Sequence, residues 1–171
     1  MPLEDHYGKV EIRTLKPMRV ACYRAVSKTP EEDAHAFLRR WVTEHRAKGA
    51  KPPRFFGFDV GVSEEQRRAG LRGYEVWATV PATVKPSEGV LIRKFPGGLY
   101  AVLRITDPFT DPFEVIPAGW HRLVRWAEES DRYEHAHFRE LEESVGMKGL
   151  YSEYLDLHLP VMEVIGKARA R

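Results

Sequence analysis

The sequence predicts an α+β fold, a tandem of two strand–helix–strand–strand units whose antiparallel sheets form a pseudo-twofold pair. Three observations predict it. Several short segments alternate apolar and polar residues with the period of a strand; two longer stretches carry an apolar stripe at helical spacing; and the two halves match each other in element order and in residues.

In the first half, Val10 to Leu15 alternates, Lys16-Pro17 interrupts, and Met18 to Val26 resumes as extended chain. Thr29-Pro30-Glu31-Glu32 then reads as a helix start, with Thr29 as N-cap, Pro30 at the first helical position and Glu32 completing a capping box. Ala34, Phe37, Leu38, Trp41 and Val42 form one apolar stripe, expected to run until Gly49. Phe55 to Val60 and Gly73 to Pro81 read as two further strands joined by a polar loop around Ser63 to Arg72.

The same order recurs in the second half. Val90 to Phe95, the turn Pro96-Gly97-Gly98 and Leu99 to Ile105 repeat the strand–turn–strand opening. Pro117 is the expected start of a helix whose buried stripe is Trp120, Leu123, Val124 and Ala127. His137 to Glu143 and Tyr154 to Val161 are the expected closing strands, and the C-terminal GKARAR is expected to be a solvated tail.

Val20-Ala21-Cys22-Tyr23-Arg24 aligns with Tyr100-Ala101-Val102-Leu103-Arg104, and Leu38 to Glu44 with Leu123 to Glu129 through a shared L-x-R-W-x-x-E. Glu75-Val76-Trp77 likewise resembles Asp156-Leu157-His158. The offset stays near about eighty residues, so the repeats are placed at about 10–81 and about 90–161 of a single domain spanning 1–171. One helix covers only one face of a sheet, so the remaining faces must meet or enclose something, and function is expected there.

Composition bounds the rest. With 171 residues, 43% hydrophobic and 30% charged, the chain can build a packed core without disulfides. A net charge of +2 argues against a basic nucleic-acid footprint. A single cysteine, Cys22, excludes a disulfide framework and suits a reducing, cytoplasmic compartment. No apolar run reaches a membrane span, and the start lacks a signal-peptide core. Nor is there a P-loop, a G-x-S-x-G elbow or a G-x-G-x-x-G, and no cofactor is expected.

The segments GYEVWATVP (73–81), FPGGLYAVLRI (95–105), GWHRLVRW (119–126) and LDLHLPV (155–161) together resemble the GyrI-like domain, also known as the effector-binding domain of AraC- and MerR-type bacterial transcription activators. The resemblance covers most of residues 10–161. It implies a central ligand groove that takes bulky, apolar, often cationic small molecules, as in multidrug-binding regulators. It also implies a pocket acid on the penultimate strand. Leu141-Glu142 is the best match to that acid, with Glu140 as substitute. The closing strand departs from the family in having Asp156 for the usual Glu and His158 for the frequent Tyr.

The expected ligand-binding set is therefore Glu142, Glu140, Tyr23, Trp77, Tyr100, Trp120, Tyr154 and His158. A carboxylate in an apolar cavity is costly, and a cationic ligand with aromatic faces around it offsets that cost. Trp41 and Trp126, at equivalent repeat positions, are expected in the core. His135, His137 and His158 are too loosely spaced to read as a metal site, and none is expected. The leading expectation is a stand-alone binder of a hydrophobic or cationic small molecule, with no direct DNA or membrane contact and no space before Val10 for a helix-turn-helix. Two alternatives stay open: a hydrolase of cyclopropanoid or electrophilic toxins using Glu142 or Glu75 as general base, and a gyrase-inhibitor-like module with a protein partner.

Overall fold

A computed structural model describes residues 1–166; the end of the expected solvated tail, residues 167–171, lies outside the described residues. The chain forms two compact units, one running from Pro17 to Pro96 and the other combining Met1–Lys16 with the chain from Gly97 onward.

The unit from Pro17 to Pro96 contains β2 (Met18–Ser27), α1 (Pro30–His45), β3 (Phe55–Val60), α2 (Glu64–Arg68), β4 (Arg72–Thr79) and β5 (Leu91–Phe95). Its strands run antiparallel in the order β3-β4-β2-β5. The alternation of β4 divides its side chains cleanly between the two faces. Tyr74, Val76 and Ala78 join Ala21 and Ala25 of β2 under the α1 stripe of Ala34, Leu38, Trp41 and Val42. Trp41 is fully buried, as expected for a core residue, and its indole N–H donates to Ser87 Oγ at 3.0 Å.

The other unit contains β1 (Glu11–Leu15), β6 (Gly98–Thr106), α3 (Pro112–Glu129), β7 (Tyr133–His135), β8 (Leu141–Lys148) and β9 (Tyr151–Glu163). Its antiparallel order is β1-β6-β9-β8, with β7 on β9. Ala101, Leu103, Ile105, Leu155, Leu157 and Leu159 form the face under α3, against Val115, Leu123 and Ala127. Gly119 lets α3 approach closely: a Cβ there would lie 2.8 Å from Ile105 Cδ1 and 3.0 Å from Leu157 Cδ1. Trp126 is only half-buried, stacked on Tyr133 at 6.0 Å.

The runs β2–α1–β3–β4 and β6–α3–β8–β9 each read strand, helix, strand, strand, with α2 set before β4 and β7 before β8, and the strands that precede these runs are exchanged. β1 precedes β2 in the chain but pairs with β6, and β5 precedes β6 but pairs with β2.

Several expected boundaries move. α1 ends at His45, with Arg46 extended, before Gly49 is reached. Thr29 is its N-cap, but the side chain makes no cap bond and the capping box with Glu32 does not form; the Thr29 and Ser27 hydroxyls turn instead to Asp33. The loop after Ser63 contains α2, with the capping box Ser63–Gln66. α3 starts at Pro112, so Pro117 sits inside it. Pro at the first helical position is tolerated, while an interior Pro forfeits one i→i−4 bond. Residues 137–140 lie outside strands, and the penultimate strand begins at Leu141. Among the described residues no helix is long and apolar enough to cross a membrane.

Candidate functional site

Each unit carries, on the sheet face opposite its helix, a buried acid clamped by an arginine from the neighbouring strand. In the unit from Pro17 to Pro96 the acid is Glu75, only 3% exposed. Arg24 stands directly across the β2–β4 ladder and donates from Nε and Nη2 to Glu75 Oε1 at 3.2 and 3.0 Å. The Trp77 indole donates to Oε2 at 2.7 Å. Both oxygens thus have donors, the condition under which a buried carboxylate is tolerated. Phe58 and Phe95 close around Trp77, each with its ring centre 5.2 Å away.

In the other unit the clamped acid is Asp156, 1% exposed. Arg104 lies directly opposite on β6 and binds it in bidentate fashion, Nε to Oδ1 at 2.7 Å and Nη2 to Oδ2 at 2.8 Å. Arg13 of β1 adds a contact to Oδ2 at 3.3 Å. The guanidinium of Arg104 also lies 4.9 Å over the Tyr154 ring. The bond to Asp156 comes first among the causes that hold the Arg104 pKa above its ordinary value.

Beside this clamp, on the same face, lies a second acid. Glu143 of β8 stands opposite Asp156 and is 7% exposed. His158, fully buried, is opposite Leu141, and its Nε2 is 3.7 Å from Glu143 Oε2. His158 Nδ1 is 2.9 Å from the Asp156 carbonyl, which only accepts, so Nδ1 carries the proton and Nε2 faces the carboxylate. Tyr100, also fully buried, meets His158 edge to face at 5.7 Å and donates its hydroxyl to the Arg139 carbonyl at 2.9 Å. Burial pushes the Tyr100 phenol up, against the opposing charge of Arg139. The result is a carboxylate, an imidazole and two tyrosine rings on one sheet face.

The expected residues divide accordingly. Tyr100, Tyr154 and His158 lie on the face that carries Glu143 and Asp156, and Trp77 lies with Glu75. Tyr23 stacks on Phe37 of α1 at 4.0 Å and so lies on the helix-covered face. Trp120 is half-buried against the core beneath α3. Glu142 is opposite Leu157, a residue of that core, and so projects from the helix side of β8, half-buried. Glu140 precedes β8 and is exposed, 3.3 Å from His135.

Sequence reasoning did not single out Glu143, nor the clamping role of Arg24 and Arg104. The signal for the arginines was present: both end the matched segments VACYR and YAVLR, and their acids begin EVW and DLH. No comparable signal separates Glu143 from Glu142, because only pairing with β9 sets the frame of that strand.

The fold has known counterparts. The crystal structure of the EcmrR C-terminal domain superposes with a TM-score of 0.64 at 12% identity, covering 91% of this chain and 98% of that one. An integron cassette protein from the mobile metagenome of Vibrio cholerae gives 0.52 at 11%, covering 92% and 98%. SAV2435, solved bound to tetraphenylphosphonium, gives 0.51 at 9%, covering 91% and 94%. In the cryo-EM structure of the EcmrR–DNA complex this chain spans 59% of the length of its counterpart. At these identities the likeness is one of fold. No curated protein matches the sequence. The sequence itself carries the stronger tie: residues 11–161 match the model of the integron-associated effector binding proteins, and the chain belongs to that family.

Proposed function

We propose that this protein binds a bulky hydrophobic cation through the face that carries Glu143, with Tyr100, Tyr154 and His158 as its aromatic lining. The observation that carries the reading is the burial of Glu143 beside His158, on the sheet face that Tyr100 and Tyr154 share. A desolvated carboxylate gains most from a large, weakly hydrated cation, which costs little to strip of water and also attracts ring faces. Tetraphenylphosphonium, the ligand in the SAV2435 structure, has that chemistry. Glu75 is held through both of its oxygens by Arg24 and Trp77. Those bonds count against Glu75 as a general base. In this reading the protein senses or sequesters its ligand without itself touching DNA.

Calorimetric titration with tetraphenylphosphonium tests the reading, with tetraphenylborate as a probe of the same shape and opposite charge. The cation binds and the anion does not. Glu143→Gln weakens binding by about tenfold or more, the scale of one charge–ring contact set, while Glu142→Gln leaves it nearly unchanged. Equal affinity for wild type and Glu143→Gln overturns the proposal, as does preference for the anion.

A further inference from the structure

The last turn of α1 and the turn before β5 bring together a set of donors unconnected with the acid faces. Glu44 and His45 end α1, and Glu88 sits in the turn between Ser87 and Gly89. One ligand atom from each of the three lies within 4.8 Å of the others, and all three residues are exposed. Among the described residues this is the one trio of histidine and carboxylate groups so arranged.

Two carboxylates near a helix end would mean little alone. The imidazole is what distinguishes this trio. His45 Nδ1 is 2.7 Å from the Trp41 carbonyl, so that nitrogen bears the proton and donates it. The ring is stacked on the buried Trp41 indole at 4.2 Å and 19°, which fixes its plane. Ser87 Oγ accepts the Trp41 indole N–H, leaving its own proton free to point at His45 Nε2, 3.4 Å away. The carbonyl contact selects the tautomer with its proton on Nδ1, and the Ser87 hydroxyl, donating to Nε2, shows where the lone pair of that nitrogen points. This is the state in which histidine binds metals, with the second nitrogen tied to a backbone carbonyl as an outer support. The site also lies at the C-terminal, negative pole of a 16-residue helix, which favours a cation.

We infer that Glu44, His45 and Glu88 form a surface site for a divalent first-row transition ion, with Zn²⁺ as the representative. One imidazole nitrogen and two carboxylate oxygens suit Zn²⁺ or Co²⁺, whereas Ca²⁺ takes oxygen ligands in larger number. Bound metal would fasten the turn at Glu88 to the end of α1. Arg40 opposes it by pairing with Glu44 at 3.3 Å.

The experiment is titration of the whole protein with Zn²⁺ against a competing indicator, paired with melting curves in Zn²⁺ and in Ca²⁺. One equivalent of Zn²⁺ binds and raises the melting temperature, and Ca²⁺ at the same concentration does not. His45→Gln and Glu88→Gln each weaken Zn²⁺ binding by about tenfold or more, while His121→Gln, an exposed histidine of α3, leaves it unchanged. All three side chains are exposed, so the variants fold. Absence of saturable binding, unchanged affinity in His45→Gln, or an equal response to Ca²⁺ overturns the assignment.

Discussion

Arg104 stands directly across the β6–β9 ladder from Asp156 and grips both carboxylate oxygens, and Arg24 stands in the same relation to Glu75 across β2–β4. In both pairs the acid is buried and the arginine reaches toward solvent, with side chains 41% and 51% exposed. The acid is fixed in place and the base holds it from the rim.

Removing the base leaves the acid buried. Arg104→Met therefore destabilises the protein by about 2 kcal/mol, below the full cost of breaking a buried pair because Arg13 and water remain as partial partners. Urea denaturation measures it. Pairing the change with Asp156→Asn recovers part of the loss, since the charge that needed a partner is gone.

Trp77→Phe keeps the ring packing against Phe58 and Phe95 but deletes the donor to Glu75 Oε2. The expected cost is about 1–3 kcal/mol, the penalty of an undersatisfied buried acceptor. If Trp77 served only to fill space, the substitution would cost less than about 1 kcal/mol in the same denaturation assay.

The ring of Tyr74 lies over Gly57. A Cβ at Gly57 would overlap the Tyr74 hydroxyl oxygen and Cε1. Gly57→Ala consequently destabilises by about 1–3 kcal/mol through overpacking. In a double-mutant cycle with Tyr74→Leu the two losses are less than additive, because shortening Tyr74 opens the space the methyl needs.

His35 of α1 packs beside Phe55 and Tyr74, and burial, followed by the charge of Arg39, lowers its pKa to about 4. The unfolded chain titrates that ring near about 6.5, so between the two values the unfolded state binds the extra proton. Stability is therefore fully present above about pH 6.5 and falls as the pH drops toward 4, by roughly 1–3 kcal/mol from this residue. Comparing melting temperatures of wild type and His35→Phe at pH 7.5 and 4.5 isolates the contribution: the variant loses this part of the acid sensitivity.

Most of the architecture was legible because alternation and helical stripes are local signals. GYEVWATVP declares its two faces unaided, and the match of EVW to DLH already linked residues that occupy like positions opposite Arg24 and Arg104. Pairing partners were not legible. A strand pattern says that VEIRTL is extended, not that it pairs with β6 rather than with its neighbour β2. In FRELEES the acids at 140, 142 and 143 leave the frame open, since either alternation presents an acid to each face. Only the β9 ladder decides that Glu143 looks toward Asp156 and Glu142 toward Leu157.

The exchange of first strands has a consequence for synthesis. β1 is made early, but its partner β6 follows only after the whole unit from Pro17 to Pro96 has been translated. Until then β1 is an orphan edge, and the polar, charged character of EIRTL suits such a wait better than an aggregation-prone apolar strand would. Cutting the gene at the boundary between the halves would thus give neither fragment its full complement of strands: the first would lack β5 and the second β1.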